Sequence, residues 1–132
     1  MACPYFDPGE RLPGPGGALG DLYAGRCRIG NWRPDERTCS DYCNMGYARG
    51  RCPHFPANGG PDAVRFCVSK DEPGSIRILY SLERDHYPFA NGALEFRTAS
   101  GAFTAAPESV SSLGAAYVRS YLRRRPVNEN GS

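Results

Sequence analysis

From residue 63 onward the chain alternates between apolar and polar positions. Ala63-Val64-Arg65-Phe66-Cys67-Val68-Ser69 puts Val64, Phe66 and Val68 on one face, which predicts a strand with Cys67 pointing the other way. Glu72-Pro73-Gly74 reads as a turn, and 75–82 as a second strand with Ile76, Ile78, Tyr80 and Leu82 on one face. Asp85-His86 reads as part of the turn after that strand, Asn91-Gly92 as the turn signal leading into a third strand over 93–98, and Ser100-Gly101 precedes a fourth over 102–105. Links this short favour an antiparallel meander. The period then changes. Val110, Leu113, Tyr117 and Tyr121 recur at helical spacing, which predicts a helix over 107–125. Pro107 and Glu108 suit its first turn, and Arg123, Arg124 and Arg125 complement the dipole at its end, before Pro126 stops it. Residues 127–132 read as a frayed tail.

The N-terminal half lacks this regularity. Pro4, Pro8-Gly9 and Pro13-Gly14-Pro15-Gly16-Gly17 predict an irregular arm over 4–20, pinned to the body by Tyr5 and Phe6. Residues 21–33 read as a loop. Pro34-Asp35-Glu36 looks like a helix start, the helix running to about 45 and ending at Gly46 or Gly50. The expected fold is α+β: a small antiparallel sheet of three or four strands with a C-terminal helix. A loop-rich, cysteine-containing N-terminal segment with one short helix caps it. At 132 residues the expectation is a single domain, 1–132, with the cap over 1–60, the sheet and helix over 61–126, and the tail after them.

The cysteines change the picture. Cys39, Cys43 and Cys52 lie within fourteen residues, spaced C-x3-C-x8-C, with Cys27 and Cys3 upstream. Ligands close in sequence close short loops at low entropic cost. No signal peptide is visible at the N-terminus, and no stretch approaches the roughly 20 apolar residues of a membrane span. The expected compartment is the cytoplasm, where clustered thiols read as metal-binding or redox-active and not as a disulfide frame. The expected centre takes four of the five thiols Cys39, Cys43, Cys52, Cys3 and Cys27, with Cys3 or Cys27 as the fourth ligand. Cys3 and Cys52 both precede proline, as the last cysteine of a bacterial ferredoxin ligand run does; the run itself, C-x2-C-x2-C-x3-C-P, is absent. Cys67 reads as a plain strand thiol.

An iron–sulfur cluster, [4Fe-4S], is the expected cofactor, with zinc as the alternative. On a helix, Cys39 and Cys43 at i and i+4 start from Cβ atoms roughly 5–6 Å apart. A tetrahedral zinc with sulfurs at about 2.3 Å would draw them to about 3.8 Å. Sulfurs on different irons of a cubane stay further apart. The 26–51 segment carries Arg26, Arg28, Arg33, Arg37, Arg49 and Arg51 against Asp35, Glu36 and Asp41, an excess that would offset an anionic centre. His54 is a possible substitute ligand.

Net charge of +2 gives no case for a particular partner class. The 16 Gly and 12 Pro only confirm a loop-rich backbone. There is no phosphate loop or dinucleotide fingerprint, and Asp35, Glu36, Asp41, Asp71, Glu72, Glu83 and Asp85 form no catalytic pair. The reading is therefore a small electron carrier or redox sensor with a redox partner protein, without nucleic acid or membrane and without a legible catalytic set. The alternative is a zinc-stapled protein- or nucleic-acid-binding module, with Arg123, Arg124 and Arg125 as its contact surface.

Overall fold

The computed structural model describes residues 2–13, 21–57 and 60–124. The fold is α+β, with two antiparallel sheets of two and four strands, a C-terminal helix and one short N-terminal helix. The larger sheet is the meander β3 (Ala63–Glu72), β4 (Ser75–Arg84), β5 (Tyr87–Arg97) and β6 (Ala102–Phe103), hydrogen-bonded in that order. The helix α2 (Glu108–Arg124) covers one face. Val64, Ile76, Ile78, Leu94 and Phe96 are buried with Val110, Leu113, Ala116 and Val118 of the helix. The alternation in β3 and β4 thus does what its period implies, and Cys67 is exposed on the open face.

The third strand starts earlier than expected. The turn into β5 is Asp85-His86, both at positive φ (+50° and +70°), a two-residue hairpin turn whose twist suits the flanking strands. Histidine is not the residue such a turn advertises. It is held there by its ring, stacked on Tyr47 at 4.0 Å, while the Asp85 N–H donates to Asp62 Oδ1 at 3.2 Å. Asn91-Gly92, expected as a turn signal, lies inside β5. Gly92 pairs with Tyr80, whose side chain lies over it; a Cβ at Gly92 would come 2.6 Å from the Tyr80 Oη. The glycine makes room for a cross-strand aromatic.

The second departure is in the cap. Residues expected as an irregular arm and loop form a two-stranded sheet, β1 (Phe6–Arg11) with β2 (Tyr23–Cys27). Pro8 is tolerated because β1 is an edge with a register shift between Pro8 and Glu10. Gly25 is required opposite it, since a Cβ there would sit 2.1 Å from the Asp7 carbonyl oxygen. The glycine run at 14–17 lies outside the described residues, as do Arg125, Pro126 and the tail.

The expected helix over 34–45 is shorter and wider. Asp35 caps α1 (Glu36–Thr38), its carboxylate accepting from the Thr38 N–H at 2.8 Å. A π-helical turn, Cys39–Cys43, follows, closed by the Asn44 N–H on the Cys39 carbonyl at 2.9 Å. Gly46 ends it at φ +81°, where a Cβ would lie 2.9 Å from the Ala2 carbonyl oxygen. Ala2 passes over that glycine to pair with Val64, so the N-terminus is laced onto the edge of β3. The arginines expected as a contact surface have an intramolecular role: Arg123 and Arg124 both bind the Asp21 carboxylate, which also accepts from Ser120 at 2.8 Å. That cluster fastens α2 to the cap. Among the described residues, no helix is long and apolar enough to cross a membrane.

Candidate metal centre

Four thiols reach one cavity from four separate stretches of chain. Cys3 lies on the N-terminal lacing, Cys27 at the end of β2, Cys43 at the end of the π turn, and Cys52 on the loop beyond it. Backbone bonds fix them relative to each other. The Cys3 N–H donates to the Cys43 carbonyl at 2.9 Å, and the Cys27 N–H to the Trp32 carbonyl at 2.8 Å. Cys27 pairs with Phe6 across the small sheet, and the Cys52 N–H donates to the Ala48 carbonyl at 2.8 Å. The cavity is small and partly open to solvent. Its remaining wall is almost wholly apolar or aromatic: Tyr5, Phe6, Ile29, Trp32, Tyr42, Ala48, His54, Phe55 and Pro56.

Cys3 and Cys27, alternatives by spacing, therefore both face the cavity. Cys39, grouped by spacing with Cys43 and Cys52, does not line it. It is fully buried behind Cys43, its sulfur 3.7 Å from the Pro34 carbonyl oxygen. All six cysteines are free thiols. Among the described residues, no group of three or more His, Cys, Asp or Glu side chains is placed to hold a metal ion. The sulfurs ring a space without meeting at one point.

The electrostatics follow from burial and from crowding of thiols. Burial pushes the Cys3 thiol up to about 12; a hydrogen bond from the Tyr5 backbone and the Arg28 charge oppose this, while Cys27 and Cys52 reinforce it. Cys43 gives its proton toward Cys39 and so is itself raised, further still by burial and by the neighbouring thiols Cys39, Cys3 and Cys27. Cys39, receiving that hydrogen bond, falls to about 7 against the opposing effect of burial, helped by the Gly25 N–H. With nothing bound, the cavity thiols Cys3 and Cys43 stay protonated at neutral pH; a bound metal would displace those protons.

Part of the arginine excess sits where it matters. The Arg28 guanidinium donates to the Pro4 carbonyl, tying the Cys27 segment to the Cys3-Pro4 segment. Arg49 lies 4.9 Å from the Phe55 ring centre and Arg51 5.1 Å from that of Tyr42, so two wall rings carry a cation on a face. Arg33 and Arg37 instead pair with Glu10 and Asp41, and Arg49 pairs with the buried Asp62 at 3.6 Å. His54 lines the cavity and stacks on Trp32 with ring centres 3.9 Å apart.

Three contributors had little signal in the sequence. Trp32 and Phe55 come into the wall only through the tertiary path of their loops. Asn44 is fully buried beside Cys43 and holds the π turn to β2. Its Oδ1 accepts from the Tyr23 N–H at 3.0 Å, and its Nδ2 donates to the Tyr23 carbonyl at 2.8 Å and the Cys39 carbonyl at 2.7 Å. Comparison with protein-family profiles, with curated proteins and with solved structures returns no match for this chain.

Proposed function

We propose that the cap holds a [4Fe-4S] cluster on Cys3, Cys27, Cys43 and Cys52, and that the protein carries electrons, or reports redox state, to a partner protein in the cytoplasm. The observation that carries this reading is the convergence of four thiols from four chain segments on one apolar-walled cavity. Their spread favours a cluster over a single ion. A tetrahedral zinc needs its sulfurs within about 3.8 Å of one another, whereas each cubane thiolate binds a different iron and the four ring a volume. Four thiolates on a 2+ core leave a net charge of about −2. Arg28 and Arg51 beside the cavity suit that charge. Cys27 and Cys52 are half-buried, which puts one side of the centre close to the surface, where a partner could exchange electrons.

Anaerobic purification or reconstitution of the full chain tests the reading. Iron and acid-labile sulfide in equal amounts, with a broad visible absorption that bleaches on reduction, are expected. A colourless protein carrying stoichiometric zinc and no iron after that handling would replace this reading with a zinc-stapled module.

A further inference from the structure

One polar atom near the cavity has no partner. The Trp32 Nε1 is buried and finds no acceptor among the described residues. The indole is part of the cavity wall, held from two sides. The Trp32 backbone carbonyl takes the Cys27 N–H, and His54 stacks on the indole ring. An indole N–H can only donate, and buried donors in folded proteins almost always have an acceptor. Of the wall side chains, Phe6, Ile29, Phe55 and Pro56 offer none, and His54, whose ring could accept, lies stacked over the indole face and not in line with its N–H.

We infer that Trp32 donates its indole N–H to a sulfur of the bound cluster and so raises the reduction potential of the centre; this rests on the cluster reading proposed above. Cluster sulfurs gain negative charge on reduction. A donor aimed at one of them stabilises the reduced state more than the oxidised state, and hydrogen bonds to sulfur are a recognised control of cluster potential. A bare divalent cation in the same place would repel the N–H. The chain has a single tryptophan, so every indole signal belongs to this position.

The test uses the full chain reconstituted anaerobically as wild type, as Trp32→Phe, and with β-(3-benzothienyl)alanine at position 32, which replaces the N–H by sulfur in a bicycle of matching shape. Iron, sulfide and visible absorption report the cluster; midpoint potential and hyperfine coupling to the reduced cluster report the hydrogen bond. The wild type is expected to show a coupled, deuterium-exchangeable proton and a coupling to ¹⁵N-labelled indole. Both variants are expected to keep the iron, lose that proton and shift the potential negative. Full iron content with unchanged potential and unchanged proton coupling overturns the inference and leaves the cluster reading standing. If both variants lose the cluster, the ¹⁵N-indole coupling in the wild type decides, and its absence overturns the inference. If the wild type itself takes up no iron, both proposals fall.

Discussion

Replacing Asn44 by alanine should weaken the cap more than any change at a cavity thiol does in the metal-free protein. The Leu12 N–H donates to the Leu22 carbonyl, so at the next position of the small sheet the polar groups of Tyr23 face away from β1. The Asn44 carboxamide meets both of them and also bonds the Cys39 carbonyl. Alanine leaves the Tyr23 N–H and C=O without that partner at a fully buried site; the Cys39 carbonyl keeps the Asn44 backbone N–H. Two orphaned buried groups at about 1–3 kcal/mol each give a loss of roughly 2–6 kcal/mol. For a chain of this length that corresponds to a Tm lower by roughly 8–24 °C. The assay is thermal and urea unfolding of the metal-free protein followed by far-UV circular dichroism, with Asn44→Asp alongside. The aspartate keeps the acceptor for Tyr23 but loses both donors, so its deficit should shrink at low pH, where a protonated carboxyl can donate once. A loss below about 1 kcal/mol for Asn44→Ala would refute the bracket as an energetic link between the π turn and β2.

Three further outcomes are expected. Cys3→Ser, Cys27→Ser, Cys43→Ser and Cys52→Ser should each lose bound iron and visible colour, whereas Cys39→Ser and Cys67→Ser should keep both; iron analysis of the six variants checks the set, and loss of iron in Cys39→Ser with retention in Cys27→Ser would reverse the assignment. The metal-free protein should lose stability on the alkaline side: the Cys3 thiol is raised from 9.0 to about 12, so its contribution is complete below pH 9 and is lost as pH rises toward 12, an effect that Tm against pH will show and that should vanish once the cluster fixes the thiolates. Asp21→Asn should cost about 1–2 kcal/mol at neutral pH, discounted for the half-exposed arginines. Burial works against the Asp21 charge, but the bonds from Ser120 and Arg123 and the charge of Arg124 outweigh it, so its pKa lies below 3.8. The difference between Asp21→Asn and wild type should therefore persist above about pH 4 and fade as pH drops below it, read by urea unfolding across that range.

The sequence by itself determined the larger sheet and its helix, and it singled out the cysteines of the cap. Those features are local: the period of two through β3 and β4, the period of 3.6 through α2, and the density of cysteines between 39 and 52 are visible without knowing what packs on what. It also showed Cys67 to be apart from the group, since a strand's alternation fixes which way a side chain faces. Only the tertiary structure decided which thiols share the cavity. Spacing favoured Cys39, because short loops are cheap to close, but spacing does not reveal that the turn is π-helical or that Cys39 points toward Gly25 of β2. Cys3 and Cys27 are brought in by non-local pairing: Ala2 with Val64, Phe6 with Cys27 and the Cys3 N–H with the Cys43 carbonyl. The small sheet behind that pairing was hidden because Pro8 and Gly9 oppose strand formation locally, and the strand exists only where an edge with a register shift accepts the proline and Gly25 lets the backbones approach. In the same way Asn91-Gly92 has the local chemistry of a turn, yet Tyr80 on the neighbouring strand claims the space over Gly92, and the chain makes its whole reversal at Asp85-His86, already legible as part of a turn. Local propensity is worth about 1 kcal/mol or less per residue, and a buried ring or a completed hydrogen-bond ladder outweighs it.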